Sequence, residues 1–250
     1  MPTVGELSAP YANYLYRVRD VGTGVCEVCR TVVLDGYARC WQCNEAIRQL
    51  PATANAVAFI ALAVKGEQLA HELSSYKNSS HPEARHRMTM GLAAVLWRWL
   101  AGHEQCLATA AGVASFDVVT VVPSTRGRTG GHPLRRIVAE VVGPTKVRYR
   151  DLLDPDLSVH QDRVPDMARW RAVRLGGESV LVIDDTWTTG SGIQSAAARL
   201  MDSGAAAVGI VAIGRHFSTV QTREDYRNAS KEYYRLTRHI PWSWDWCCLH

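Results

Sequence analysis

SVLVIDDTWTTGSGIQSAAARLMDSGA, residues 179–205, contains three structural statements in succession. Ser179–Ile183 is an apolar run of strand length, and a polar, Gly-rich turn follows it. Ile193–Met201 then has the spacing of an amphipathic helix, with Gly204 as its stop. The next run, Ala206–Ile213 (AAVGIVAI), predicts a second strand buried on both faces. Strand, loop, helix and strand in this order predict a βαβ unit with a right-handed crossover, and hence an α/β fold with a mainly parallel sheet flanked by helices.

The sequence on either side extends the pattern. Val57–Val64 (VAFIALAV) and Phe116–Val122 (FDVVTVV) read as further buried strands, the second running into a polar, basic loop, STRGRTGGHP. Pro82–Leu107 has helical periodicity through Met88, Leu92, Val95, Leu96, Trp99 and Leu100, which marks core positions. Leu134–Val142 reads as a helix and Lys146–Leu153 as a strand. Asp154–Gly177, broken by Pro155 and Pro165, reads as an irregular cap, and Tyr226–Arg238 as a closing helix. The aromatic end, PWSWDWCCLH, has no usable period.

Upstream lies CEVCRTVVLDGYARCWQC, in which Cys26 and Cys29 form one CxxC pair and Cys40 and Cys43 another. Two pairs joined by a short hairpin suit tetrahedral Zn2+, with redox-active CxxC motifs as the competing reading. So small a segment needs the metal to fold. Residues 1–50 are therefore expected to be a zinc-ribbon module and residues 51–250 the α/β domain, with Pro51 at the join. Cys247 and Cys248 could act as further ligands, reactive thiols or packing groups, and packing is preferred because the ribbon already supplies four ligands.

The chain has 250 residues, 47% of them hydrophobic, enough for one such domain and a small satellite. The formal net charge of +4 is spread along the sequence without a basic block, so no nucleic-acid-binding tail stands out. Asn55–Val64 is too short an apolar run for a membrane span, and the first residues do not read as a secretory signal. A cytoplasmic location is expected.

In an open parallel sheet, ligands bind at the carboxyl ends of the strands, which is where Asp184 and Asp185 fall. Adjacent carboxylates repel each other and need hydroxyl donors or cations nearby. Thr188, Thr189, Gly190, Ser191 and Gly192 follow directly before a helix, where close-lying amides and the helix dipole suit a phosphate. Helix capping alone would explain the hydroxyls but not the acidic pair. Trp187, within the turn, reads equally as a base-stacking residue or as a hydrophobic brace.

VLVIDDTWTTGSG resembles the 5-phosphoribosyl-1-pyrophosphate (PRPP) signature of type I phosphoribosyltransferases. With the two-CxxC segment and SSYKN ahead of it, the chain is similar to the ComF-like branch, named for DNA uptake. The resemblance implies a type I phosphoribosyltransferase-like open sheet carrying a small N-terminal zinc ribbon. It also implies that Asp184 and Asp185 contact the ribose and that Thr188 to Gly192 hold the 5-phosphate, and Thr186 is counted with them as a ligand-binding residue. Ser124, Thr125 and Arg126 would form the pyrophosphate loop, with Arg126 and Lys77 neutralising the departing pyrophosphate and Mg2+ accompanying PRPP. The sequence departs from the pattern at Thr186 and Gly192, and where Gly-Gly-His-Pro-Leu-Arg-Arg stands for the branch's Arg-Gly-Phe-Asn run. Two functions are carried forward. One is Mg2+-dependent transfer of phosphoribose to or from an unidentified nitrogenous acceptor. The other is a non-catalytic PRPP- or nucleotide-binding module whose ribbon contacts nucleic acid or protein. The resemblance admits a homodimer.

Overall fold

The structure is a computed structural model, and it describes residues 2–124, 132–159 and 163–249. Thr3 caps a short first helix, α1 (Val4–Ser8), in a reciprocal capping box with Glu6. The cysteine-bearing segment follows and ends in α2 (Trp41–Gln49). Then come β1 (Ala56–Val64), α3 (Gln68–Asn78), α4 (Pro82–Ala110) and β2 (Val118–Val121). Two short helical turns, α5 (Pro133–Arg136) and α6 (Gly143–Lys146), flank a π-helical turn at Ile137–Val141. A two-stranded ribbon, β3 (Leu153–Pro155) and β4 (Trp170–Ala172), precedes β5 (Ser179–Trp187), α7 (Ser191–Asp202), β6 (Ala207–Phe217) and α8 (Glu224–Arg238).

The four long strands form one sheet in the order β1-β6-β5-β2, with every pairing parallel. Parallel strands lie between covering layers, which is why β1, β5 and β6 are near-continuous apolar runs rather than alternating ones. One face is covered by α4, whose Leu92, Val95, Leu96, Trp99, Leu100 and Leu107 are almost wholly buried at helical spacing. Because all four strands run the same way, their carboxyl ends meet at one edge. Lys65, Ser124, Asp184 and His216 converge there from four different strands or the residues just after them. Among the described residues, no helix is long and apolar enough to cross a membrane.

Three segments differ from expectation. Lys146–Leu153 is not a strand: Pro144 starts α6, Thr145 Oγ1 donates to the Val138 carbonyl at 2.6 Å, and Tyr149 meets Val119 only at an isolated bridge. The turn has already claimed the backbone groups that a longer strand would need. Among the described residues of the cap between Asp154 and Gly177, a two-stranded ribbon replaces the expected irregular chain. β3 and β4 pair in antiparallel register, and Trp170 Nε1 donates to the Gly192 carbonyl at 3.0 Å, fastening the cap to the start of α7. Finally, α3 is a helix that the sequence reading did not assign, although Leu69, Glu72, Leu73 and Tyr76 bury one face at i, i+3, i+4 and i+7.

The centre of the sheet leaves no spare volume at Gly209 of β6, where a methyl group would overlap the Phe116 ring. Gly209→Ala is expected to destabilise the protein by about 1–3 kcal/mol through overpacking. Combining it with Phe116→Leu should recover part of that loss, as read by urea unfolding of the single and double variants.

Candidate functional site: a tetrathiolate cluster beside an acidic strand end

Cys26, Cys29, Cys40 and Cys43 are all buried, and their four sulfurs lie within 4.8 Å of one another. The expected hairpin between the pairs is reduced to isolated bridges, among them Val25 with Val32, and the second pair sits at the start of α2 with Cys40 as its N-cap. Arg30 turns the chain after the first pair at φ 58, a left-handed conformation. Cys40 N–H donates to Cys26 Sγ at 3.4 Å, and Cys29 Sγ lies 3.6 Å from Cys40 Sγ. Four convergent sulfurs without an oxygen donor among them suit Zn2+.

Beneath this cluster lies Arg215 of β6, 5% exposed. Its guanidinium donates to the Cys29 carbonyl at 2.6 Å, to Cys29 Sγ at 3.4 Å, to the carbonyls of Trp187 and Thr188 at 3.2 and 3.3 Å, and to the His216 carbonyl. A Zn2+ held by four thiolates carries a net charge of −2, and a buried guanidinium is the counter-charge it needs.

At the end of β5 the two carboxylates have different surroundings. Asp185 is 3% exposed and is held by the Tyr76 hydroxyl and by an ion pair with the Lys77 ammonium, both from the last turn of α3. Asp184 is only partly buried and faces a cavity of about 670 Å3 with Thr186, Lys77, Ser124, His132 and His216. Burial, and next the neighbouring Asp185 carboxylate, push the Asp184 carboxyl up to about 7, against the opposing pull of Lys77 and of the Asp185 N–H that it accepts at 2.8 Å. The lining sets this one carboxylate among Lys65, Lys77, His71, His132 and His216, so the cavity is mainly basic and suits an anionic ligand.

The turn after β5 is shaped by Trp187 and Gly190. Trp187 is 1% exposed, set edge-on to Phe59 with ring centroids 5.5 Å apart, so it braces the turn and is too buried to stack on a ligand. Gly190 has φ 80 and lies so close to that ring that a Cβ would overlap it. Only glycine satisfies both conditions. Thr189 Oγ1 lies 3.1 Å from Ser191 Oγ and accepts from Ser191 N–H at 3.4 Å, and α7 begins immediately after Gly190. Thr188 and Thr189 open on a second cleft of about 690 Å3, lined opposite by Arg39, Trp41 and Asn44 of the cysteine segment and by Arg163 and Arg223. His216 borders both cavities, so the two clefts adjoin.

The structure thus gathers Asp184, Thr186, Ser124 and Lys77 around one cavity, sets Asp185 beneath it, and places Thr188 and Thr189 at the adjoining one. Thr125 and Arg126 lie outside the described residues. Sequence reasoning gave no role to Lys65 and His216, each of which stands near the end of a buried apolar run. The chain matches no family model, no curated protein and no solved structure.

Two outcomes follow from these environments. Between about pH 4 and 7 the folded state retains the Asp184 proton that the unfolded chain releases, so wild-type stability falls as pH rises through that window and levels off above it. Asn at this position does not titrate. The melting temperature of Asp184→Asn should therefore gain on that of wild type by roughly 5 °C between pH 4.5 and 7.5, as read by paired thermal melts. Arg215→Met removes the counter-charge from the tetrathiolate and should weaken zinc retention by roughly 10–100-fold in competition with a colorimetric chelator.

Proposed function

We propose that this chain binds PRPP with Mg2+ and transfers its phosphoribosyl group to or from a nitrogenous acceptor, in the manner of the ComF-like type I phosphoribosyltransferases that its sequence resembles. The observation that carries this reading is the junction of β5 and α7. There a partly buried carboxylate at a strand end, facing a cavity, is followed within six residues by a left-handed glycine turn that opens a helix. A ribose diol needs the first feature and a phosphomonoester the second.

In the transfer, the bond between ribose C1 and the pyrophosphate oxygen breaks and its electron pair leaves with pyrophosphate. The acceptor nitrogen lone pair forms the new C1–N bond, and the proton displaced from that nitrogen passes to solvent. Asp184 accepts hydrogen bonds from the ribose hydroxyls and holds the sugar in place as charge develops at C1. Lys77 places a cation at the lip over which pyrophosphate departs. Mg2+ bound with the substrate would add Lewis-acid neutralisation of the leaving group. The acceptor would occupy an adjoining cavity of about 430 Å3, which shares Ser124 and His132 with the first and adds Tyr149, Asp151 and Asp154. Tyr149 offers a ring to stack on, and Asp154 a carboxylate to accept N–H donors.

One observation favours a second reading, in which the chain binds PRPP or a nucleotide without turnover while the zinc segment holds nucleic acid. Tyr37 and Trp41 are 63% and 70% exposed and stand beside Arg39 on the cleft that reaches Thr188. Aromatic faces interleaved with guanidinium groups suit unstacked bases.

Calorimetric titration of the zinc-loaded protein with PRPP and Mg2+ is expected to give magnesium-dependent binding, weakened at least tenfold in Asp184→Asn. Release of pyrophosphate on addition of one of a panel of nitrogenous bases would then establish transfer. A folded wild-type protein that takes up no PRPP would overturn the reading. PRPP binding without turnover, together with an oligonucleotide affinity that drops in Trp41→Ala, would establish the second.

A further inference from the structure

Residues 239–249 form no strand and only turns, yet Trp242, Cys247 and Cys248 within them are buried. The segment is laid across β1 and α4. Trp242 Nε1 donates to the Ile60 carbonyl at 3.4 Å, Cys248 Sγ accepts from Phe59 N–H at 3.3 Å, and the Arg98 guanidinium sits 4.3 Å from the Trp244 ring centroid. Where it crosses α4 it meets His103 and Cys106, three residues apart and so on one side of the helix.

His103 lies on the buried stripe of α4, 6% exposed, and its Nε2 is 2.7 Å from the Trp244 carbonyl oxygen. A carbonyl only accepts, so Nε2 carries the hydrogen, which leaves Nδ1 as the nitrogen a metal would take. An imidazole whose second nitrogen is fixed by a backbone carbonyl is the usual arrangement of a metal-ligating histidine. A ring nitrogen of His103 and the sulfurs of Cys106 and Cys247 lie within 4.8 Å of one another, and a tetrahedral zinc centre needs its ligand atoms about 3.5–3.8 Å apart.

We propose that His103, Cys106 and Cys247 form a second metal centre, a Zn2+ site that clasps the carboxyl-terminal segment to α4. Charge supports the assignment. One Zn2+ with two thiolates and a neutral imidazole is electrically neutral, so it can sit at the buried edge of α4 without the guanidinium that the tetrathiolate requires. Binding converts two thiols to thiolates and releases two protons to solvent for each ion taken up. The Cys248 sulfur is not among the atoms that converge there, so the fourth coordination position falls to water or to an external donor, reached past the partly exposed Cys106. The site is independent of the PRPP reading, since none of its residues lines the Asp184 cavity.

Native mass spectrometry of the full chain, purified from zinc-supplemented medium, should find two zinc ions in wild type and one in both Cys106→Ser and Cys247→Ser. One ion in wild type, or two in either variant, overturns the proposal. A second measurement does not depend on the variants folding. Cobalt titration of metal-stripped wild type should show a second equivalent that adds thiolate-to-cobalt absorption and releases two protons. A titration that saturates at one equivalent overturns the assignment as well.

Discussion

The Arg215 guanidinium is the contact on which the arrangement of this molecule depends. A fully desolvated cation is costly unless charge and hydrogen-bond acceptors surround it, and here they come from two directions. The cysteine segment supplies the Cys29 carbonyl and sulfur, while the β5–α7 turn supplies the carbonyls of Trp187 and Thr188. With zinc in place, the negative tetrathiolate and the buried arginine stabilise each other. The same hydrogen bonds hold the turn that carries Thr188, Thr189 and Gly190 in register with the metal cluster. The zinc segment is therefore a structural wall of the candidate ligand cleft as well as a module preceding it in the chain.

That coupling explains why the first fifty residues share their buried side chains with the sheet. Val25, Val32 and the four cysteines belong to the same apolar core as Phe59, Phe217 and Tyr233. Tyr233 of α8 locks the arrangement from the far side: its hydroxyl donates to the Arg30 carbonyl at 2.6 Å and accepts from Arg19 N–H at 3.1 Å, and its ring stacks on Phe217. A segment too small for a core of its own thus gains one by lying against the sheet, with the metal fixing the local turns that a few apolar residues cannot.

What the sequence made legible was decided by periodicity and by chain order. β1, β5 and β6 declare themselves as apolar runs, and the acidic pair with its glycine turn falls at a strand end by position alone. The cysteine spacing identified a metal cluster without revealing that its second pair would open a helix. What stayed hidden depends on contacts distant in sequence. The resemblance through SSYKN brings Lys77 to the site, but nothing near Tyr76 and Lys77 indicates that both meet Asp185, more than a hundred residues away. Arg215 likewise reads as an ordinary charge near the end of an apolar strand, because the acceptors that permit its burial come from two other segments. His103 was hidden for the opposite reason, since it occupies a position on α4 where the helical period calls for a core residue and nothing in its neighbourhood foretells the Trp244 carbonyl.

The acidic pair shows how one dipeptide can be divided by its surroundings. Asp185 is already engaged: a phenol and an ammonium from α3 both meet its Oδ2, and removing the ammonium would leave a carboxylate charge buried against the sheet. Its role is to fix α3 to the strand end and so define one lip of the cavity. Asp184 has the complementary character, facing the cavity with a proton affinity raised by burial and by the charge of its neighbour. A carboxyl poised near neutrality binds a cation or a hydroxyl donor by giving up a proton that the empty site prefers to keep, so ligand uptake and ionisation at Asp184 are one coupled event. Lys77 links the two residues, because the ammonium that neutralises Asp185 also lowers the proton affinity of Asp184. On the proposed reading, pyrophosphate drawing Lys77 toward itself would tighten the Asp184 proton, and pyrophosphate departure would loosen it again. The dipeptide and the lysine therefore act as one electrostatic unit, assembled from two elements that the sequence separates by more than a hundred residues.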